Sequence, residues 1–390
     1  MTTALSRTVA EEALGLNLPN RRMEDWRWTD LRQMIDKPYP PRQSVEAAAG
    51  EVQRLLASSI FHGIAATRMV FVNGHYDAAH SKLANGDAEA KAGITEPVQQ
   101  MNAAFATDGA RLILSGNIDT PVELVFISTS AAPRTIATRN VIEIAAGASA
   151  TLIETHLGEG SYLANSVTEI RVGEGARLDR VKAEIEARDA IHLAHVHVTL
   201  GPRVTFREFT LTTGARLNRQ NGTYLFEGEG TDAKIAGAYL LAAKQHADSR
   251  LVVDHQVPRC ASRELFKCVM DDHARGIFQG KVIVRPHAQK TDGKQSSHAL
   301  LLTETAEFDA KPELEIYADD VVCGHGATSG DLNHDHVFYL KSRGIPETEA
   351  KALLIAAFVG EAFETIAHDG IREALVAFAE TWLVAHRRAA

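Results

Sequence analysis

Apolar and polar residues alternate in short runs through the middle of the chain. Between about residue 65 and residue 330, runs such as MVFVNG, VELVFIS, NVIEIAAG and KVIVRP carry β-branched residues at every second position and end at a glycine, a proline or a small polar residue. A period of two is typical of β-strands that bury one face. The pattern therefore predicts a long succession of strands over residues 65–330.

Helix-like spacing occupies the first part of the chain, residues 1–64. An apolar periodicity runs from Ala4 to Leu16, and the segment MEDWRWTDLRQMI has a similar spacing, with Thr29 or Asp30 as a possible helix cap. A polar, proline-containing stretch, DKPYPPRQS, follows. We expect a helical N-terminal region that ends before the strands begin.

The last part of the chain, residues 331–390, is also predicted to be helical. Pro346 opens the run PETEAKALLIAAFVGEAFETI, and the early glutamates suit the positive end of a helix dipole. A second run, IREALVAFAETWLVAHRR, ends in arginines, which favour a helix C-terminus. The pattern thus divides the chain into three regions, 1–64, 65–330 and 331–390.

The strand region repeats at a nearly constant period. Successive turn residues lie 27 or 28 positions apart, at Gly147, Gly175, Pro202, Gly230, Pro258 and Pro286. A fixed period of this size indicates stacked repeats, and units made of strands without helices exclude ankyrin-type and TPR-type repeats. The remaining prediction is a parallel β-helix with two strands per coil and coils about 4.8 Å apart. Its open ends need covers, and the terminal helices are the candidates. The alternative is an antiparallel sandwich, whose hairpins also give regular turns.

Composition and charge narrow the functional classes. The 390 residues are 45% hydrophobic and 23% charged with a net charge of −9, which disfavours a basic nucleic-acid-binding protein. Three cysteines without a CxxC pair support neither a disulfide framework nor a cysteine-only zinc site, and they fit a reducing cytoplasm. The longest apolar run, 352–360, is less than half a membrane span, so no membrane association is expected.

No motif of a self-sufficient enzyme is present. Gly-Glu-Gly occurs at 158–160, 173–175 and 228–230, but these glycines lie between strands without a GxxxxGK[ST] loop and are predicted to form turns. In the run IHLAHVHVTL, strand alternation places His195 and His197 on one face, so an outward polar surface explains them without a metal.

Cys323 and His325 are the candidate ligands of the strand region. They lie two positions apart around small glycines, and in an extended strand their side chains point the same way, which suits a shared soft metal or sulfur species. The alternative is a buried thiol beside a hydrogen-bonded histidine. His334 and His336 follow nearby; if Asp331 begins a helix, they project about 200° apart and cannot easily chelate one ion.

The segment around these residues resembles a known family. The run KQSSHALLLTETAEFDAKPELEIYADDVVCGHGATSG, followed by VFYLKSRGI, resembles the C-terminal core signature of the SufD branch of the SufB/SufD family, which belongs to the SUF iron-sulfur cluster assembly system. LPNRRMEDWRWTDL resembles the family's N-terminal motif. The SufB branch usually has a longer chain and His-Glu-Ala-Thr where this chain has His-Gly-Ala-Thr. The spacer LNHDH departs from a more acidic family pattern, which leaves the roles of His334 and His336 open.

The resemblance implies a mainly β protein with a right-handed parallel β-helix core between helical terminal domains. It implies a non-catalytic subunit that pairs with SufB and with the ATPase SufC, which would bind the ATP for which this chain has no loop. His325 and Cys323 match the family's interface residues, where iron or a nascent iron-sulfur cluster is held transiently. Flavin is associated with the family's complex, but this chain has no flavin fingerprint. The resemblance leaves open whether the chain forms a homodimer where SufB is absent.

The C-terminal run has more apolar residues than two covering helices require. We expect this region to dock the ATPase as well, with contact residues Leu353, Leu354, Phe358 and Phe363. Two other functions stay open. A β-helix carbohydrate-active enzyme could use Asp319 and Asp320, although no acidic row follows the repeat. A purely structural scaffold would need no ligand.

Overall fold

The structure, a computed structural model, describes residues 8–41, 47, 50–130 and 132–386. Its helices are α1 (Val9–Leu14), α2 (Leu31–Met34), α3 (Glu51–Ser58), α4 (Pro97–Phe105), α5 (His334–Ser342), α6 (Glu347–Phe363) and α7 (Asp369–His386), with a 3-10 turn over Glu24–Trp26. One sheet of ten strands contains β1 (Thr67–Val72), β2 (His75–Tyr76), β4 (Val122–Ser130), β6 (Ser149–Gly160), β8 (Arg177–Ile185), β10 (Thr205–Thr212), β12 (Asp232–Leu241), β14 (Ala261–Met270), β16 (Asp292–Leu301) and β18 (Val322–Gly330). A sheet of eight contains β3 (Arg111–Leu114), β5 (Thr135–Ile144), β7 (Leu163–Val172), β9 (Ile191–Leu200), β11 (Leu217–Phe226), β13 (His246–His255), β15 (Arg275–Val284) and β17 (Glu307–Ile316).

The strands form a parallel β-helix of about eight turns. From β3 onward, consecutive strands belong alternately to the two sheets, and each pairs in parallel with the strand two further along the chain. β1 and β2 form an antiparallel pair at the first edge. The predicted β-helix is confirmed, and an antiparallel sandwich is excluded for the residues that the structure describes.

The coil length changes along the solenoid. In the ten-stranded sheet, paired positions lie 28, 28, 27, 29, 31 and 30 residues apart, at Ser149, Arg177, Thr205, Asp232, Ala261, Asp292 and Val322. The predicted period of 28 therefore holds for the first coils, and the last three coils are longer. Gly175 and Gly230 adopt φ of 65° and 72° at corners, as the turn interpretation of these motifs requires.

Every second residue of a strand faces the lumen of the β-helix, which is mainly apolar. Buried side chains from both sheets meet there, among them Phe71, Phe126, Leu178, Val198, Phe206, Tyr224, Phe226, Phe266 and Phe278. The expectation that inward positions are all hydrophobic is wrong for the central coils, because charged side chains share the same inward alternation as Leu178 and Val198.

The charged lumen cluster consists of Glu154, Arg180, Lys182, Glu184, Glu186, His192 and Glu208, all buried. Arg180 lies 2.6 Å from Glu154 and 2.8 Å from Glu208. His192 lies between Glu184, at 2.9 Å, and Glu186, at 2.7 Å. Burial opposes a charge on His192, but the two carboxylates outweigh it and raise its pKa to about 9. Opposite charges thus pair inside the solenoid.

The N-terminal segment covers the outer face of the eight-stranded sheet. Trp26, Leu31 and Tyr39 are buried there with Leu163, Leu193 and Leu217. MEDWRWTDLRQMI forms the 3-10 turn and the short α2, and Asp30 caps α2 through a bond accepted from the Arg32 amide, as predicted. The predicted helix over Ala4–Leu16 is described only as α1, because residues 4–7 lie outside the described residues.

This cover changes the interpretation of the histidine run. His195 points away from the lumen as predicted, yet it is only 2% exposed, and neither ring nitrogen has a hydrogen-bond partner within the described ranges of the chain. Burial lowers the pKa of His195 to about 3. The expected outward polar surface is therefore wrong at His195, since α4 and the N-terminal segment pack over this face.

The C-terminal helices cover the outer face of the ten-stranded sheet. Ile355, Val359 and Phe363 of α6 pack with Phe209 and Leu240, whereas α3 covers the first strands of the same sheet. The expectation that the terminal helices cap the ends of the β-helix is thus wrong: they line its sides. Pro346 occupies the N-cap position of α6. Helix α5 begins at His334 rather than at Asp331. The terminal arginines lie outside the described residues. No described helix is long and apolar enough to span a membrane.

Candidate functional site

The last coil of the β-helix is open. β17 and β18 are the terminal strands of their sheets, and the described part of the chain supplies no further strand to either. All their residues are half-buried or exposed, in contrast to the buried strands before them. This end of the solenoid is therefore an unpaired sheet edge, and the lumen is open to the outside there.

Cys323 and His325 lie on β18 at this open end. Cys323 aligns with Gly293 of β16 and packs, partly buried, against the apolar side chains of the lumen. The exposed His325 aligns with Gln295. Their side chains share one side of an extended strand, which agrees with the geometry expected from the sequence. Burial raises the pKa of the Cys323 thiol, so this group is not a free thiolate at neutral pH.

Two polar residues lie directly beneath His325 in the lumen. Gln295 aligns with His325, and Glu264 of β14 aligns with Gln295 one coil further in. Both are buried, and none of their side-chain oxygen or nitrogen atoms has a hydrogen-bond partner among the residues that the structure describes. Burial raises the pKa of Glu264 to about 7. Sequence reasoning missed this pair, although positions 264, 295 and 325 are each about one coil apart.

The other candidate ligands are dispersed. His334 and His336 are exposed in the first turn of α5, on either side of the buried Val337. Asp319 and Asp320 are exposed at the corner before β18, and Asp320 pairs with Lys290. Among the described residues, no group of three or more His, Cys, Asp or Glu side chains is arranged to hold a metal ion.

Large apolar side chains are exposed around the open end. Ile316, Tyr317 and Val322 of the last coil are 41%, 58% and 63% exposed, and Phe338 of α5 is 73% exposed. Apolar exposure of this kind indicates a contact surface.

The predicted ATPase-docking residues lie on α6 with different exposures. Leu353 is exposed, Leu354 and Phe358 are half-buried, and Phe363 is buried against Phe209. Phe363 therefore stabilises the attachment of α6 to the sheet and offers no surface for docking.

The fold and site define a class: a parallel β-helix protein that presents a thiol and an imidazole on an unpaired last coil. The model of the family described as SUF system FeS cluster assembly, SufBD core domain, matches residues 126–358, more than half of the chain. The chain belongs to the SufB/SufD family of the SUF iron-sulfur cluster assembly system.

Several relatives match over most of their length. The iron-sulfur cluster assembly protein SufD of Escherichia coli is 29% identical, covering 94% of this chain and 90% of its own. A SufBD family protein of Synechocystis is 30% identical over 92% of this chain and 86% of its own. One from Mycobacterium leprae is 36% identical over 59% and 60%.

Proposed function

We propose that this chain is a SufD-type, non-catalytic subunit of a cytoplasmic iron-sulfur assembly scaffold, in which it pairs with SufB and with the ATPase SufC. The observation that carries the proposal is the open last coil, which presents Cys323 and His325 on an unpaired strand of a SufB/SufD-family β-helix. Nucleotide hydrolysis is assigned to SufC. Any flavin of the complex is assigned no site on this chain.

The partner surface for SufB is the edge formed by β17 and β18. An unpaired strand offers backbone donors and acceptors that a second strand can satisfy, and the exposed Ile316, Tyr317 and Val322 add apolar area to such a contact. Pairing there would bring a ligand from each chain to one junction. Without SufB, a second copy of this chain could occupy the same edge and form a homodimer.

At this junction, His325 would bind iron or a nascent cluster as transient cargo. A neutral imidazole nitrogen is a suitable ligand, and a metal ion displaces any proton on it. Cys323 is assigned an auxiliary role, because burial raises the pKa of its thiol and a thiolate forms there only when a cation compensates the charge. His334 and His336 are assigned no role.

The ATPase would dock on the exposed side of α6. Leu353, Leu354 and Phe358 remain accessible there, while Phe363, Ile355 and Val359 are buried against the sheet. Removing residues 346–390 would expose that sheet face, so point substitutions on α6 test docking better than a deletion does.

The test is cluster production by the complex co-expressed with SufB and SufC in cells that lack any other assembly route. We expect His325→Ala to leave the stoichiometry of the purified complex unchanged and to reduce cluster formation strongly, with a smaller effect of Cys323→Ala. His287→Ala, at an exposed histidine in a corner, is the matched control. Normal cluster production by His325→Ala would favour the alternative that this chain is a purely structural scaffold.

A further inference from the structure

The lumen beneath the open end holds polar atoms that no group in the described part of the chain satisfies. Both carboxylate oxygens of Glu264, both amide atoms of Gln295 and the hydroxyl of Ser297 are without hydrogen-bond partners, and these residues are 3%, 2% and 0% exposed. Ser262, beside Glu264, is 3.1 Å from the ring of His255. Buried polar groups in folded proteins are normally bonded, because an unsatisfied one costs about 1–3 kcal/mol.

This set differs from the charged cluster deeper in the same lumen. There Arg180 contacts two carboxylates, whereas Glu264, on the same inward register, forms no ion pair with any residue in the described part of the chain. The paired positions run Arg180, Glu208, Ile235, Glu264, Gln295 and His325. Among the described residues, the members of this column whose side-chain polar atoms all lack a hydrogen-bond partner are Glu264 and Gln295, at the end nearest to His325.

The spacing of the coils suits a single ion between Glu264 and His325. Adjacent coils stack about 4.8 Å apart, so Gln295 lies midway between the two. An ion at the level of Gln295 would lie one coil spacing from the levels of Glu264 and of His325, a separation that side chains of this length can bridge with metal–ligand bonds of about 2 Å.

Two glycines give this column its shape. A Cβ on Gly280, in the opposite sheet, would lie 1.7 Å from the Gln295 amide nitrogen, so the Gln295 side chain extends across the lumen and needs a glycine facing it. A Cβ on Gly293 would lie 3.5 Å from the Cys323 sulfur and 3.6 Å from the Ser262 hydroxyl. The thiol therefore lies over the same part of the lumen.

We propose that Glu264 and Gln295 form an inner binding site for a divalent transition-metal ion, entered from the open end past Cys323 and His325. A carboxylate and an amide oxygen, with an imidazole or thiolate above them, form a mixed donor set that suits ferrous iron. The identification of the ion as iron rests on the proposed function, whereas the existence of the site is inferred from the unsatisfied polar groups.

The test is anaerobic titration of the full chain with Co²⁺, followed by its visible absorption and by calorimetry. Glu264→Gln keeps the side-chain shape and removes the charge, and we expect it to weaken Co²⁺ binding at least tenfold. Gln295→Leu removes the amide oxygen and should also weaken it. Glu304→Gln, at an exposed corner between β16 and β17, removes the same charge and should bind as wild type does.

The outcomes separate the site from the proposed function. Unchanged Co²⁺ affinity in Glu264→Gln, or no binding by the wild-type chain, would overturn the inner site and leave Glu264 and Gln295 bonded to water. Weaker Co²⁺ binding by Glu264→Gln would not come from unfolding, because removing an unpaired buried carboxylate should keep or raise the melting temperature. If His325→Ala complexes make clusters normally while Glu264→Gln still loses Co²⁺, the proposed function fails and the inner site stands.

Discussion

Two buried histidines of one strand, β9, have pKa values shifted in opposite directions. His192 lies between Glu184 and Glu186 in the lumen and stays protonated, with its pKa raised to about 9. His195 faces outward beneath the N-terminal segment, has no hydrogen-bond partner and stays neutral. The difference arises from the neighbours that each face of the strand meets, since both rings are buried.

The neutral His195 predicts a loss of stability in acid. The unfolded chain binds a proton at this residue below pH 6.5, but the folded chain does so only near pH 3, so the free energy of unfolding falls as pH drops between these values. From pH 6.5 to pH 5 the loss is about 2 kcal/mol. The free energy of unfolding of His195→Leu, measured by urea denaturation at each pH, should lack this part of the loss in acid.

The exposed His287 offers the matched control for that measurement. His287→Leu should keep the full pH dependence of the wild type. An identical pH dependence in His195→Leu and the wild type would show that His195 is protonated in the folded protein.

At the scale of elements, the N-terminal segment is held on the eight-stranded sheet by a buried polar contact. Arg219 pairs with Asp248, stacks 4.5 Å from the Trp26 ring and donates to the Asp25 carbonyl. Thr29 donates to the same Asp248 carboxylate. The N-terminal motif seen in the sequence is thus explained by its attachment to strands about 200 residues away.

Asp248→Asn should destabilise the protein and release this segment. It leaves the fully buried Arg219 without its counter-charge, which costs about 3–5 kcal/mol. Chemical unfolding measures the loss, and limited proteolysis should cut faster within residues 20–30. Asp36→Asn, which removes an exposed pair with Arg216, is the control and should change little. Equal proteolysis of both variants would contradict the attachment.

The exposed side of α6 carries the prediction for ATPase docking. Leu353→Glu places a charge on a 48% exposed side chain, so it should weaken SufC binding at least tenfold while the melting temperature stays unchanged. Pull-down and calorimetry measure the binding. Val9→Glu puts the same charge on an exposed apolar residue of α1 and should bind SufC normally. Unaltered binding by Leu353→Glu would remove α6 from the docking surface.

Elements were predictable from the sequence where the pattern is local. The strand alternation, the 28-residue period and the caps Asp30 and Pro346 all depend on near neighbours. The cover over His195 and the alignment of Glu264 with Gln295 and His325 depend on residues that only coiling or long-range packing brings together. For the same reason, the sequence alone predicts the terminal helices at the ends of the solenoid, whereas in the structure they lie along its sides.

The whole molecule is a stack in which each coil touches mainly the coils next to it. Such a stack is weakest where one neighbour is absent, so opening should be easiest at β17 and β18. Hydrogen exchange of the isolated chain should show low protection there and high protection from β11 to β15, and adding SufB should slow exchange at the last coil. Exchange at β18 that SufB leaves unchanged would contradict pairing at this edge.

The coils also show where this fold tolerates insertions. Most strands keep ten residues while the coil spacing varies from 26 to 32, so the extra residues lie at the corners. A loop grafted into the corner at 317–321 would leave every inward position inward. One residue added within β18 before Cys323 would instead turn the thiol and the imidazole out of the lumen, because alternation reverses at each step. Chains of this architecture can therefore lengthen by evolution or design at their corners without displacing the proposed ligands, whereas a single insertion in the last strand would displace them.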